Sequence, residues 1–160
     1  MVLFLLCIKA DLEGVASVRL PPGSQYCITV KDSAGEDIRE GVYVAADEVY
    51  ELSGSRGVAN FVMKWAKDSK REAYLNVEEV KAVTRALKGD DAGTFVPIIG
   101  FECRGLEPID WRPEGGFVVE GTSGKVWEEV DLSEKEWADY DDRSNESVSI
   151  MDLQWELRRR

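Results

Sequence analysis

Two segments of this chain alternate apolar side chains with a period of two, and this alternation constrains the fold more than any other feature. The first series is Phe4, Leu6, Ile8, Ala10 and Leu12, and the second is Phe95, Pro97, Ile99, Phe101 and Cys103. Because successive side chains of a strand point to opposite faces, each series would place its apolar side chains on one face of a sheet. Gly14 and Gly105 follow the two series, and we expect them to end or bend the strands.

The two series belong to a longer internal repeat. At an offset of about 91 residues, the apolar, glycine and proline positions of the segment 8–22 recur in the segment 99–113. At an offset of about 90, positions of the segment 50–65 recur in the segment 140–155. Ordered recurrence of this kind is typical of proteins built from repeated units. We therefore predict a single domain, 1–160, built of two pseudo-symmetric β-rich repeats at approximately 1–90 and 91–160.

Seven further segments have the β-branched and aromatic content of strands, with turn residues between them. They are 26–30, 41–45, 58–65, 73–80, 116–120, 125–129 and 148–157. Strands in this number, without a long amphipathic helix, predict an all-β fold in which the two halves form a sandwich or a partly open barrel.

Two segments leave helix and strand open as alternatives. The valines of the segment 77–89 have helical spacing, but their β branching favours a strand that runs into an acidic loop around Asp90 and Asp91. Ser133 and Glu136 have the spacing of a capping box, which predicts one short helical turn near 133–138.

The charge of the chain argues against nucleic acid as a partner. The net charge is −11, whereas nucleic-acid binding depends on lysines and arginines that displace counterions from phosphates.

The apolar residues 1–8 are too few to span a bilayer and lack the flanks of a signal peptide. We expect them to form a buried first strand of a cytoplasmic protein without a membrane partner. Cys7, Cys27 and Cys103 are an odd set, typical of reduced core residues.

No arrangement of residues in the sequence predicts catalysis. The chain has no histidine, so the usual nucleophile and base pairs are absent. The glycines of the segment 54–57 fit no phosphate-binding motif and predict a turn between strands. The acidic stretch 128–142 predicts a solvated face, with a docking surface for a basic partner as the alternative. We therefore expect no catalytic residue and no enzymatic activity.

The segment 101–111, which reads FECRGLEPIDW and continues with RPEGGF, identifies a family. It resembles the signature of the CXXC-motif zinc-binding proteins, a eukaryotic family for which no chemical activity is established. The resemblance covers the chain from end to end and is most specific over 101–157. It implies a two-part, pseudo-symmetric all-β scaffold. Within the signature, Arg104 and Glu107 flank a predicted rigid turn, and we expect their charges to pair locally or with the other half of the chain. Recognition of a partner carboxylate by Arg104 is the alternative.

The resemblance also implies a zinc site of two CxxC pairs, and this sequence departs from it. Four thiolates at that spacing are typical of a tetrahedral zinc site. Here the first pair maps onto the segment 31–36, which is one residue shorter than the family pattern, and the second onto the segment 64–68. The former ligand positions hold Asp32, Ala34, Trp65 and Asp68. Two carboxylates on separate loops are too few for a hard cation such as Ca²⁺. We therefore predict no metal and no cofactor, and we expect Trp65 to fill the former site by packing.

These observations together predict a non-catalytic, metal-free structural or protein-interaction protein. Its partners would be proteins of unknown identity, and one candidate setting is the ciliary axoneme with its doublet microtubules. Tubulin is acidic, so docking there would use local basic patches such as the arginines at 158–160. The alternative is a metal-handling or redox accessory protein with a non-standard site, and an acid/base enzyme that works with carboxylates is a third, weaker hypothesis.

Overall fold

The computed structural model describes residues 1–53 and 57–160. Over these ranges the chain forms fifteen β-strands and one 3₁₀ turn. The strands are β1 (Val2–Glu13), β2 (Val15–Arg19), β3 (Gln25–Asp32), β4 (Ile38–Ala45), β5 (Tyr50–Glu51), β6 (Val58–Ala59), β7 (Phe61–Met63), β8 (Ala73–Glu78), β9 (Leu87–Lys88), β10 (Val96–Arg104), β11 (Leu106–Arg112), β12 (Phe117–Gly121), β13 (Val126–Val130), β14 (Trp137–Asp141) and β15 (Glu146–Arg159). The 3₁₀ turn is Gly89–Asp91.

A six-stranded sheet forms the centre of the protein, in the order β14-β15-β1-β10-β8-β7, and it curls into half a barrel. Three smaller sheets have the orders β11-β3-β4, β13-β12-β2-β9 and β5-β6, and neighbouring strands are antiparallel throughout. The predicted all-β fold is confirmed. Within the two described ranges, no helix has the length and hydropathy needed to cross a bilayer.

The alternating strands β1 and β10 lie side by side in the middle of this sheet, with Phe4 opposite Phe101. The alternate apolar residues of β1 are buried as far as Ala10, as the period of two predicts. Leu5 and Cys7 on the other face are buried as well, with exposures of 7% and 0%. Both faces of the middle of β1 are therefore covered, so the alternation identified the strand but understated its burial.

Each central strand ends at a glycine with a positive φ, Gly14 at 68° and Gly105 at 77°. A Cβ atom at Gly14 would lie 2.8 Å from Cγ1 of Val148, and one at Gly105 would lie 3.1 Å from Cβ of Ala73. A side chain is thus disfavoured both by the left-handed backbone and by the neighbouring strand. The prediction that these glycines end the strands is confirmed, because β2 and β11 begin at the next residue.

The strand after each glycine pairs with the other half of the chain. β2 pairs with β12, and β11 pairs with β3, so the segments 1–90 and 91–160 interlock. The offset of about 91 matches the positions of β1 and β2 to those of β10 and β11. In the outer strands, Val148 lies beside Gly14 and Ala73 lies beside Gly105. Val148 therefore corresponds in position to Ala73, and not to the residue 90 positions before it, as the second offset predicts. The division into two repeats stays a prediction.

The predicted helical turn near 133–138 is wrong. The backbone N–H of Ser133 donates to the carboxylate of Asp131 at 2.8 Å, and Lys135 has a positive φ of 65°, which a right-handed helix does not allow. β14 then begins at Trp137 and pairs with β15. Pairing with a long neighbouring strand therefore prevails over the local capping signal.

The segment 77–89 follows the strand alternative, with a shorter strand than predicted. β8 ends at Glu78, and the backbone N–H of Val80 donates to Oγ1 of Thr84 at 2.9 Å in the turn that follows. The predicted acidic loop is the 3₁₀ turn Gly89–Asp91, in which the carboxylate of Asp91 accepts from the backbone N–H of Lys88 at 2.9 Å.

Asn60 divides the predicted strand 58–65 into β6 and β7. Its side-chain nitrogen Nδ2 donates to the carbonyl oxygen of Glu48 at 2.9 Å, and its side-chain oxygen Oδ1 accepts from the backbone N–H of Val77 at 2.8 Å. Asn60 therefore fixes the β5–β6 hairpin against β8. The predicted turn at 54–57 lies, apart from residue 57, outside the described residues.

The core lies between the central sheet and the smaller sheets. Trp111, Phe101 and Phe117 are among its largest fully buried side chains. Tyr26 packs edge-on against Phe101 with the ring centroids 5.6 Å apart, and Trp111 packs edge-on against Phe117 at 6.3 Å. Each such side chain contributes about 2 to 3 kcal/mol on burial, so the signature segment around 101–117 is the centre of the core.

Candidate functional site

Gly105 connects the two loops at which the family resemblance places the zinc ligands. Its carbonyl oxygen accepts a hydrogen bond of 2.9 Å from the indole Nε1 of Trp65. The same oxygen accepts from the backbone N–H of Ser33 at 3.5 Å, at the limit of a hydrogen bond. Ser33 follows β3 and Trp65 follows β7, so both loops meet at the turn between β10 and β11. We call Ser33, Trp65 and Gly105 the Gly105 junction.

Trp65 is half-buried and packs against the core, as predicted. The guanidinium carbon of Arg39 lies 5.5 Å from the centroid of the indole ring, within the range of a cation–π contact. Arg39 also donates to the carbonyl oxygen of Lys64 at 3.1 Å. Trp65 is therefore held by a hydrogen bond at its nitrogen and by a cation over its ring.

Asp32 and Ala34 form one tight turn. Oδ1 of Asp32 accepts from the backbone N–H of Ala34 at 3.0 Å, and the backbone N–H of Asp32 donates to the carbonyl oxygen of Asp37 at 2.9 Å. The carboxylate of Asp32 thus stabilises its own loop, as Asp commonly does in turns. This use of the carboxylate is local and gives it no partner in the loop of Trp65.

Asp68 lies in the second loop and is exposed. The structure therefore brings the two loops together through Ser33 and Trp65. In the described part of the chain, no three Cys, His, Asp or Glu side chains are placed to hold a metal ion. Zinc requires thiolate, imidazole or carboxylate ligands in a tetrahedron, and the residues at this position do not fit it.

The three cysteines lie elsewhere, on β1, β3 and β10, and all are buried and free. Burial raises the pKa of the Cys103 thiol far above its usual value, and the charges of Glu102 and Glu107 raise it further. Burial also raises the pKa of Cys7 and of Cys27. Thiols of this kind stay protonated, and it is the thiolate that binds metals and attacks substrates.

Arg104 and Glu107 do not pair. Neither side chain forms an ion pair with any residue in 1–53 or 57–160, so the predicted pairing of their charges, locally or with the other half of the chain, is wrong. The turn between them is defined by Gly105 and its positive φ. The shape of this turn is therefore set by the backbone conformation of Gly105 and not by a charge pair.

Asp141 is the exception to the solvated face predicted for the acidic stretch 128–142, whose other carboxylate side chains are exposed. Its side chain is fully buried and accepts from the hydroxyl of Ser123 at 2.5 Å and from the backbone N–H groups of Arg143 and Ser144 at 2.9 and 3.4 Å. These donors lower the pKa of Asp141, the Ser123 hydroxyl most of all. Asp141 therefore connects the turn at Ser123, between β12 and β13, to the turn at 143–144, between β14 and β15.

Sequence reasoning missed Arg39 as a partner of Trp65. Arg39 lies 25 residues before Lys64, and no local pattern connects the two. An aromatic residue such as Trp65 can bind a cation over its ring, but the sequence does not indicate which cation. Only the fold brings Arg39 to Trp65.

Comparison with known proteins finds relatives whose sequences match nearly the whole chain. The family model of the eukaryotic CXXC motif containing zinc binding protein matches residues 5–158. The CXXC motif containing zinc binding protein of Xenopus laevis is 36% identical over 96% of each chain, and that of Bos taurus is 35% identical over 92% of each chain. The Drosophila melanogaster protein UPF0587 protein CG4646 is 36% identical over 92% of this chain and 91% of its own.

Two solved structures are also similar. A hypothetical protein from Plasmodium falciparum superposes with a TM-score of 0.91 at 29% identity, covering 98% of this chain and 99% of that one. The crystal structure of C1orf123 superposes with a TM-score of 0.86 at 31% identity, covering 97% of this chain and 98% of that one. With a family model that spans nearly the whole sequence, these likenesses show that this chain belongs to the eukaryotic family of CXXC motif containing zinc binding proteins.

Proposed function

We propose that this chain is a non-catalytic, metal-free member of its family that acts as a structural or protein-interaction component. The observation that carries the proposal is the 2.9 Å hydrogen bond from the indole of Trp65 to the carbonyl oxygen of Gly105. It ties the second former ligand loop to the signature turn, which the loop of Ser33 also contacts. Protein groups therefore supply the loop closure that a structural metal would otherwise supply.

The surface supports the interaction part of the proposal. Among the described residues, five of the ten exposed large hydrophobic side chains fall within 38–53 and 57–58; they are Ile38, Tyr43, Val49, Tyr50 and Val58. The first two lie on β4, which is an edge strand of its sheet. An edge strand with exposed apolar side chains can accept an extended segment of a partner protein as an added strand. We propose that a protein partner docks at this edge.

A comparison of metal contents tests the metal-free part. This chain and the Xenopus laevis relative are purified side by side without chelators, analysed for zinc by mass spectrometry, and melted with and without a chelator. We expect no stoichiometric zinc and no change in melting temperature for this chain, whereas a zinc-dependent relative loses stability. Stoichiometric zinc uptake by this chain at submicromolar affinity would overturn the proposal.

Cross-linking mass spectrometry in ciliated cells tests the partner. We propose axonemal proteins, tubulin among them, as the setting, and we expect cross-links from lysines near β4 to such proteins. A double variant, Ile38→Lys with Tyr43→Lys, should lose these cross-links, whereas Val126→Lys with Met151→Lys, which changes two exposed apolar residues elsewhere, should keep them. Recovery of the protein only in cytosolic pools, without cross-links at β4, would refute both the setting and the edge.

A further inference from the structure

A cleft separate from the Gly105 junction lies between the connection of β2 to β3 and the connection of β8 to β9. Its volume is about 660 Å³, which is within the range of about 300 to 1,000 Å³ typical of ligand pockets. Its walls are mainly apolar and include Leu20, Pro21, Val77, Val80, Ile98 and Ile99. We call it the Tyr26 cleft, after the aromatic residue that lines it.

Tyr26 presents a hydroxyl that the protein does not use. The side chain is buried, with an exposure of 6%, and its ring packs edge-on against Phe101. No hydrogen bond joins its hydroxyl to any described residue, and the hydroxyl is not sealed from solvent. The two other hydroxyls of the cleft are occupied, since Ser24 donates to the carbonyl oxygen of Pro21 at 2.6 Å and Thr84 binds the backbone of Val80.

The hydroxyl of Tyr26 is a donor at any physiological pH. Burial raises the pKa of Tyr26 to about 12, and the nearby charge of Glu79 contributes to the rise. A donor that has no protein partner and that solvent can reach is available to bond the acceptor oxygen of a ligand in place of water.

Among the residues that line this cleft, cations outnumber anions, although the chain as a whole is acidic. Arg19 and Lys81 line it and make no ion pair within the described ranges. Arg85 also lines it, but its guanidinium is bonded to both carboxylate oxygens of Asp91. Glu79 is the one acidic residue among the lining residues. In a chain of net charge −11, this local excess of unpaired positive charge favours an anionic group.

We propose that the Tyr26 cleft binds an amphipathic organic anion, a small molecule with an aliphatic or aromatic body and a carboxylate. The body packs on the apolar walls, Arg19 and Lys81 attract the carboxylate, and the hydroxyl of Tyr26 donates to one of its oxygens. Glu79 opposes the anion and limits its affinity. The cleft is lined by residues that do not belong to the Gly105 junction. This assignment can therefore be tested independently of the proposed function.

Titration with three probes of equal length tests the assignment. Decanoate, 1-decanol and decylamine are added below their micelle concentrations to the full ¹⁵N-labelled chain, and amide shifts are followed by NMR. We expect decanoate to shift the amides of the cleft, to bind about tenfold more tightly than the alcohol, and to bind more tightly still than the amine, because a charge-assisted hydrogen bond is about twice as strong as a neutral one. Shifts confined to other surfaces, or equal affinities for the three probes, would overturn it.

Variants of the lining residues measure what each side chain contributes to the binding of decanoate. Tyr26→Phe keeps the ring and should weaken decanoate binding about five- to tenfold, while Arg19→Gln with Lys81→Gln should abolish the preference for decanoate over the alcohol. Glu79→Gln should tighten binding. Lys67→Gln with Lys70→Gln changes the net charge equally outside the cleft and should leave the affinity unchanged. If decanoate fails to bind while an acidic, apolar peptide shifts the same amides, the small-molecule assignment is wrong and the cleft is a peptide site.

Discussion

The indole Nε1 of Trp65 donates a hydrogen bond of 2.9 Å to the carbonyl oxygen of Gly105, forty residues further along the chain. The family resemblance places a metal ligand at the position of Trp65, and Gly105 belongs to the signature segment. A side chain that packs and donates one hydrogen bond therefore stands where a thiolate would be expected. Under the proposed function, this contact would hold the two loops together without a metal ion.

Replacing Trp65 by phenylalanine should destabilise the protein. The ring is retained in part, but the carbonyl oxygen of Gly105 keeps only the long contact from Ser33. We expect the free energy of unfolding to fall by about 1 to 2 kcal/mol, the cost of an under-satisfied acceptor and some lost packing. Urea unfolding followed by circular dichroism measures the change.

Trp127→Phe is the matched control for this substitution. Trp127 is also half-buried and packs on Trp137 with the ring centroids 5.4 Å apart, but its indole nitrogen makes no hydrogen bond to a described residue. It should lose only the packing contribution. Equal losses at the two tryptophans would show that the bond to Gly105 does not stabilise the fold.

Alanine at Gly105 should be more harmful than alanine at Gly93. Both glycines have a φ close to 80°, so both substitutions impose a left-handed strain of about 1 to 2 kcal/mol. A Cβ at Gly105 would also lie 3.1 Å from Cβ of Ala73, whereas nothing lies within 4 Å at Gly93. We expect the difference between the two variants to be about 1 kcal/mol or more, from overpacking alone.

A double variant tests whether Ala73 causes the crowding at Gly105. Gly105→Ala with Ala73→Gly removes the methyl group that the new Cβ would meet, and it should recover part of the excess loss. Chemical denaturation of the two single variants and the double variant gives the coupling between the sites. Additive effects would mean that Ala73 does not crowd Gly105.

The sequence predicted those features of the fold that repeat along the chain and failed where distant strands compete with local signals. The alternation at Phe4 and Phe101 identified β1 and β10, and Gly14 and Gly105 identified their ends. The capping box at Ser133 has the right local spacing, but β14 pairs with β15 instead. At the loops where the resemblance places the zinc ligands, the absence of cysteines is evident from the sequence, which also predicted the packing of Trp65. The contact with Arg39 and the bond to Gly105 depend on strand pairing that no local pattern encodes.

Asp91 should make stability depend on pH. The bidentate ion pair with Arg85 lowers the pKa of Asp91 from 3.8 to about 2, and the backbone N–H of Lys88 contributes. Because the pKa is lower in the folded state, the carboxylate stabilises the fold above pH 4, and this contribution is lost as the pH falls from about 4 through about 2.

The variant Asp91→Asn isolates this contribution. It should be less stable than the parent at pH 7, and the two should converge near pH 2 in thermal unfolding. Asp90→Asn, at the exposed neighbouring position, should show a smaller difference that varies less with pH. A constant gap between the parent and Asp91→Asn from pH 7 to pH 2 would contradict the assignment.

Asp141 should behave as a buried structural acceptor. Asp141→Asn removes the charge that the Ser123 hydroxyl and the N–H groups of Arg143 and Ser144 stabilise, so we expect the melting temperature to fall by several degrees. Ser123→Ala should have a smaller effect, and the double variant should lose less than the sum of the single variants because the two side chains share one hydrogen bond. Differential scanning calorimetry measures all three, and strict additivity would show that this bond does not form.

The three thiols should be unreactive in the folded protein, which distinguishes the proposed function from a redox or metal-handling role. Cys7, Cys27 and Cys103 have exposures of 0%, 3% and 1%, and burial raises each pKa, so neither access nor thiolate character favours attack. With a thiol reagent at pH 8 we expect no labelling within minutes in buffer and three labels in denaturant. Ser133→Cys adds a thiol at an exposed position and should be labelled at once in buffer, which proves the reagent active. A native cysteine that reacts as fast as this added thiol would favour the redox alternative, because only an accessible, partly ionised thiol can do so.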